Sequence, residues 1–270
     1  MSETNIHPTA IIAPDAKIDP STHIGPYTVI GSHVTIGKNN HIGPFCLIEN
    51  TVMGDDNELI AHATIGVKPQ DLSYDDAMQS MVHIGNGNKI RECVTIHRAT
   101  NTEHPTTVGN NCLLMANSHV AHDCCLGSNI IVANSTGIAG HAQIADRVVC
   151  SGLVGIHQFV RIGRMCMVSG GALVRQDVPP FCIVEGGRPK LVGLNVIGLR
   201  RNGLSHEQIT QLNRAFKTLF RSKMLLKDAI AKVEAENKSD PFVQELVDFC
   251  KESKRGITAA VQAKHHASTD

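Results

Sequence analysis

Aromatic side chains are scarce in this chain: it has no Trp, two Tyr and seven Phe among 270 residues. Its core must therefore be built from branched aliphatics and Ala, and its surface is ill suited to base stacking or lectin-like ring platforms. Charge of one sign is not concentrated either. Lys and Arg number 25 against 25 Asp and Glu, without a basic block, which argues against nucleic acid as a partner. The nine cysteines show no C-x-x-C spacing, and there is neither a signal-peptide core nor a run of eighteen apolar residues. The chain is expected to be soluble, reduced and cytoplasmic, with no stable membrane insertion. With 42% apolar residues it can bury a core without disulfides or metal.

What is present is a six-residue period. Ile6, Ile12, Ile18, Ile24, Ile30, Ile36, Ile42 and Ile48 follow one another at a spacing of six; Met53, Leu59 and Ile65 resume it, as do Ile84, Ile90 and Ile96. From Val108 it runs unbroken to Val174. A period of six keeps neither a helix nor a long strand in phase. It fits short strands that turn every six residues, three to a triangular coil of eighteen, with stacked coils burying the aliphatic column. The predicted fold is mainly β: a parallel β-helix of hexapeptide repeats over 1–190 and a small C-terminal α-helical domain over 191–270. Loops interrupt the coil near 67–83 and 101–107, where Thr102 and Pro105 spoil the pattern. In the tail, Ser205 and Gln208 predict a capping box for a helix to about Ser222. A second helix is expected near Leu225 to Glu236, and Asp240-Pro241 starts a third. These helices are expected to cap the open end of the solenoid.

Residues eighteen apart then stand above one another, so the sequence can be read by columns. One corner is polar and one is made of small residues. Only the third, through Ala121-His122-Asp123, Ala139-Gly140-His141, His157-Gln158-Phe159 and Arg175-Gln176-Asp177, gathers ionisable groups, with His119 beside it. Histidines converging on one edge predict a catalytic or binding groove. The same arithmetic puts His97 beneath Met115, in the small-residue corner. Leu113, Ile131, Val149 and Met167 form an outward apolar column, which predicts a subunit interface and, for a three-sided prism, a cyclic homotrimer.

Two chemistries suit the histidine edge: a zinc ion on neutral imidazoles, or general-base catalysis by one imidazole with a carboxylate beside it and a backbone N–H for an oxyanion. His122, Asp123 and Gly140 supply the parts of the second.

The segments Ile90-Arg91-Glu92-Cys93-Val94-Thr95-Ile96-His97-Arg98, His119-Val120-Ala121-His122-Asp123-Cys124, Ala139-Gly140-His141, His157-Gln158-Phe159 and Gln176-Asp177-Val178-Pro179-Pro180 resemble the acyl-carrier-protein:UDP-N-acetylglucosamine O-acyltransferase family of lipid A synthesis. Gln70-Asp71-Leu72 and Gly193-Leu194-Asn195 extend the resemblance over nearly the whole chain. The repeat alone would equally fit CoA-dependent acetyltransferases. The resemblance implies a left-handed coil, and a 3-hydroxyacyl group passed from acyl carrier protein to the 3-hydroxyl of UDP-N-acetylglucosamine. His122 would be the base, Asp123 its partner and Gly140 the oxyanion donor. Asp71, His119, His141, His157, Gln158, Asn195 and Arg201 would contact substrate, and Gly170 would set acyl-chain length, its open slot favouring a long chain such as 3-hydroxymyristoyl. No metal and no cofactor are implied, because the 4'-phosphopantetheine arrives as part of the donor.

The sequence departs from the family pattern at Ser73, where a Lys is usual, at Ile197 in place of an acid, and at Asn202 in place of an Arg. From Val196 to Asp270 there are 13 basic and 9 acidic residues, leaving 12 and 16 in the rest. A tail of positive balance suggests an acidic partner, and Arg214, Lys217 and Arg221 fall on one helix face suited to docking the acidic acyl carrier protein.

Overall fold

The computed structural model describes residues 5–237 and 240–261; the outer ends of the two expected domains, 1–4 and 262–270, lie outside the described residues, as do 238–239. Two-residue strands such as His119–Val120, Cys125–Leu126 and Ile131–Val132 follow one another at intervals of six. Each strand pairs in parallel with its counterpart one coil on. Ile131 stands opposite Val149, and Val149 opposite Met167. Among the described residues the coils build three sheets of nine, eight and ten strands, the last ending in an antiparallel hairpin. The second residue of each two-residue strand of the coil points inward, and the aliphatic column from Ile24 to Val174 is buried. A core only one side chain deep from each wall favours β-branched and short residues, which accounts for the poverty in rings.

The corners are where this backbone is costly. Asn111, Asn129 and Arg147 at one edge, Asn117, Ser135 and Leu153 at the second, and Asp123, His141 and Phe159 at the third all have φ between 54 and 63°. Non-glycine residues resist this left-handed region by about 1–2 kcal/mol each. The corner hydrogen bonds offset it: His141 N–H donates to His122 O and Phe159 N–H to Gly140 O, both at 3.0 Å. Early coils also bury a ladder of amides. Asn40, Asn57 and Asn88 stack so that each Oδ1 accepts from the backbone N–H one coil up, while each Nδ2 donates to the carbonyl of Gly54, Gly85 or Gly109 at 2.9 Å. The ladder is fully paired, as burial demands.

The first insertion lies between Thr64–Val67 and Val82–Ile84, so that Val67, Val82 and His83 of the expected 67–83 belong to strands. The second is displaced from the expected 101–107. Residues 98–105 leave the coil, and Thr106 and Thr107 are already back in it, opposite Val82 and His83. That coil is therefore 24 residues long, with Thr95 opposite His119 and Ile96 opposite Val120. His97 consequently belongs beneath Ala121, in the histidine corner, and not beneath Met115. The eighteen-residue arithmetic fails there because it runs across the inserted loop.

Beyond Val174 the coil ends in a hairpin, Cys182–Glu185 with Lys190–Leu194. Four helices follow among the described residues: α1 Val196–Arg201, α2 His206–Arg221, α3 Leu226–Glu236 and α4 Pro241–Glu252. The capping box of Ser205 and Gln208 is present, and Asp240 caps α4 with Pro241 at its first position. The short α1 had no signal beyond its cap, Asn195. The helices do more than close the end: α4 lies back along the coil, with Arg161 paired to Glu252 at 3.0 Å and Arg164 to Glu245 at 2.6 Å. Buried Asp177 then ties down the C-terminal segment. It accepts from Ser253 Oγ at 2.7 Å and from Arg161 N–H at 2.9 Å.

Replacing Asn57 by Ala removes the acceptor of the Asn88 backbone N–H and the side-chain donor to Gly85 O, and leaves Asn40 Oδ1 with the backbone N–H of residue 57 as its remaining donor on that coil. The expected cost is about 2 kcal/mol of stability, read as a lower denaturant midpoint; an unchanged midpoint would show the ladder to be dispensable.

Candidate active site

The histidine corner is assembled by three coils and the second insertion. His122 Nδ1 lies 2.7 Å from Asp123 Oδ2, with the His122 side chain 15% and the Asp123 side chain 5% exposed. His141 approaches the same oxygen at 3.5 Å and crosses the His122 ring edge-on at 5.3 Å. Phe159, the exposed ring one coil higher, stacks on His141 at 4.5 Å and an angle of 8°. The column thus turns stacked αL corners into stacked rings.

Asp123 is held by residues for which the sequence offered no periodic signal. Its Oδ1 accepts from Thr100 N–H at 3.0 Å and Asn101 Nδ2 at 2.8 Å; its Oδ2 accepts from Thr100 Oγ1 at 2.7 Å as well as from His122. Thr106 Oγ1 accepts the Asp123 N–H at 2.8 Å. Burial alone would raise the carboxyl's pKa, but the hydrogen bonds from His122 and Thr100 outweigh it and hold the group below its ordinary value. An ionised carboxylate only accepts, so the His122 proton sits on Nδ1 and Nε2 keeps its lone pair. The donor atoms of His122, Asp123 and His141 lie within 4.8 Å of one another, a set that could hold a metal ion. Those four hydrogen bonds already occupy the lone pairs of the carboxylate, however, and an ion would have to displace one.

Gly140 lies directly above. A Cβ at Gly140 would stand 2.6 Å from His122 Cε1 and 2.8 Å from Nε2, so the missing side chain is what admits the imidazole. The buried Gly140 N–H donates to no acceptor among the described residues. A groove of about 580 Å³ opens over this corner, lined among others by Gln70, His119, His122, Gly140, His157 and Gln158. Its floor is the outward column Gly137 and Gly155, with Leu173 and Arg175 at its upper end. Arg175 belongs to the corner column, whereas Gln70 and Leu173 are lining residues that column reading did not single out.

The other expected site residues divide into two groups. Exposed His157 and Gln158 face the groove. His119 shares it, with Nδ1 2.7 Å from Thr95 Oγ1 and its ring 4.8 Å from that of His97. Asp71, in the first loop, is close enough for the His122 charge to act on it. The Ser73 hydroxyl and N–H hold its carboxyl below the usual range, so the serine that replaces lysine orders this acid. Gly170 lies at the opposite edge of the groove's face, in the small-residue corner, where an added Cβ would come within 3.3 Å of Gly152 O. Asn195 stands apart. It is 8% exposed and serves as the cap of α1, accepting from Gly198 N–H and donating to Met165 O. Arg201 is exposed at the end of the same helix. Of the basic row on α2, Arg214 and Lys217 are exposed, but Arg221 turns inward, donating to Val192 O at 2.7 Å and lying over Phe216. An apolar face beneath and a free carbonyl nearby draw the guanidinium in, so the row is not one continuous docking face.

The repeat and the site define a hexapeptide-repeat transferase, and comparison with known proteins makes the class particular. The family model for bacterial transferase hexapeptides (six repeats) matches residues 3–38, 15–50 and 105–140, and that for UDP-N-acetylglucosamine O-acyltransferase, domain 2, matches 177–258. An acyl-[acyl-carrier-protein]–UDP-N-acetylglucosamine O-acyltransferase of Myxococcus xanthus is 43% identical over 255 residues, 94% of this chain and 98% of the relative. One from Gloeothece citriformis is 47% identical over 203 residues, 75% of this chain and 73% of that protein. The crystal structure of a UDP-N-acetylglucosamine acyltransferase from Francisella novicida superposes with a TM-score of 0.93 at 37% identity, covering 98% of this chain and 99% of the other. The chain belongs to the acyl-[acyl-carrier-protein]–UDP-N-acetylglucosamine O-acyltransferase family, enzymes built on the left-handed parallel β-helix.

His97 supplies a pH signature. It is 5% exposed, its Nδ1 has no hydrogen-bond partner among the described residues, and burial, aided by the charge of His119, pushes its pKa down to about 4. The folded state refuses a proton that the unfolded chain accepts near 6.5. Stability is therefore full above that pH and falls, by on the order of 3 kcal/mol, as pH drops towards 4. The denaturant midpoint of His97→Phe should lose most of this slope, and an equal slope in variant and wild type would contradict the assignment.

Proposed function

We propose that this protein transfers a 3-hydroxyacyl group from acyl carrier protein to the 3-hydroxyl of UDP-N-acetylglucosamine, the entry step of lipid A synthesis. The family supports the class of reaction. The observation that carries the mechanism is the buried Asp123–His122 pair with Gly140 against the imidazole. The Nε2 of His122 takes the proton of the attacking hydroxyl as its oxygen adds to the thioester carbonyl. Negative charge moves to the carbonyl oxygen, where the unused Gly140 N–H stabilises it. Collapse breaks the carbon–sulfur bond, and the departing thiolate of the phosphopantetheine arm takes the proton back from the imidazolium. Asp123 stays ionised throughout, fixing the tautomer and balancing the transient charge of His122. The pantetheine is part of the donor, and no further cofactor enters this scheme.

Asp71, His119, His141, His157 and Gln158 surround the position of the acceptor sugar. Asn195 and Arg201 reach substrate only if they belong to a neighbouring copy's site. That reading accompanies a homotrimer, for which the half-buried column Leu113, Ile131, Val149 and Met167 provides an apolar face. Gly170, open at the far edge of the groove's face, suits a long acyl chain.

Acyl transfer from 3-hydroxyacyl carrier protein to UDP-N-acetylglucosamine should fall by about a thousandfold or more in His122→Ala, and activity surviving the change would remove His122 as the base. In a donor chain-length series, Gly170→Met should shift the preference to shorter chains. An unshifted preference would place the ruler elsewhere. Sedimentation of the wild type should give a trimer; a monomer would refute the interface.

A further inference from the structure

Above the groove, where the coil ends, a smaller cavity of about 220 Å³ is lined by Leu173, Arg175, Gln176, Gly187, Arg188, Pro189 and Thr258. It shares Leu173 and Arg175 with the catalytic groove, so the two form one trough. No carboxylate among the described residues lines it. Neither Arg175 nor Arg188 has an acidic partner or a side-chain hydrogen bond among the described residues, whereas Arg161 and Arg164 nearby are both paired. Arg255 brings a third guanidinium to the same end of the coil, its Nε donating to Arg175 O at 3.2 Å. The hairpin tip leaves room beside these groups: among the described residues, nothing lies within 4 Å of where a Gly187 side chain would begin.

Two unpaired guanidinium groups on a small concavity are the chemistry of anion recognition, because each can present paired N–H donors to phosphate oxygens. We infer that Arg175 and Arg188 form a phosphate-ester subsite for the acyl donor, an inference that rests on the reaction proposed above. The spacing selects the donor over the acceptor. Arg175 stands three coils above Ala121 by the pairings Val120–Ile138, Ile138–Ile156 and Ile156–Val174, about 14 Å from the reacting corner. An extended pantetheine arm crosses such a gap between thioester and phosphate. The diphosphate of the acceptor is joined to the sugar itself, too close to the attacking hydroxyl to reach this notch while that hydroxyl lies at His122.

The test compares two donors, a 3-hydroxyacyl thioester of 4'-phosphopantetheine and the same thioester of unphosphorylated pantetheine, with wild type, Arg188→Ala and Arg175→Ala/Arg188→Ala. Wild type should show a KM about ten- to a hundredfold lower for the phosphorylated donor. The double variant should bring that ratio close to one without changing KM for UDP-N-acetylglucosamine, and Arg175→Lys/Arg188→Lys should restore part of it. Arg188→Ala alone, on the exposed hairpin tip, keeps the test available if the double variant folds poorly. A wild-type ratio near one, a ratio unaltered by the substitutions, or a rise in KM for the UDP sugar in place of the donor would overturn the subsite. Lack of acyl transfer by the wild type with either donor would instead refute the underlying reaction.

Discussion

The backbone hydrogen bonds from coil to coil are the interaction on which the rest depends. They fix neighbouring coils at about 4.8 Å, so any two residues in register are stacked whatever their chemistry. Aliphatics in register become the core, amides in register become the ladder of Asn40, Asn57 and Asn88, and corner residues in register become the site. His122 lies beneath Gly140 for this reason alone, and the absence of a Cβ turns the stacking distance into contact. The αL corners are tolerated because the same hydrogen bonds extend around them.

A lattice so regular makes much of the molecule legible from residue numbers. The inward column, the outward apolar column and the grouping of His122, Gly140, His141 and Phe159 all follow from counting by eighteen, and the structure has them in register. Counting fails where the chain leaves the coil. His97 was misplaced by the inserted loop, and Thr100 and Asn101, the residues that hold Asp123, lie on that loop with no period to reveal them. Long side chains outside the lattice were equally unreadable. Arg221 has the spacing of a surface row but finds a carbonyl and a ring to lie on, and Asn195 is spent as a helix cap. Such choices depend on tertiary neighbours, which spacing does not encode.

The inserted loop also bears on the chemistry. A histidine beside an aspartate on a solvated corner would be an ordinary surface pair, of little consequence. The loop buries the carboxylate and fills its remaining lone pairs, leaving His122 one way to be protonated and one nitrogen to use. Base catalysis uses this arrangement as it stands, whereas a metal ion would have to displace one of the hydrogen bonds to the carboxylate. The departure from the coil that obscured His97 is thus what completes the site.

This arrangement imposes one protonation pattern on His122, and nitrogen NMR of ring-labelled histidine measures it directly. At neutral pH, with His122 assigned by its substitution, the proton is expected on Nδ1 with Nε2 bare, and that preference should be lost in Asp123→Asn. A His122 resonance showing the proton on Nε2, or a tautomer indifferent to Asp123, would contradict it.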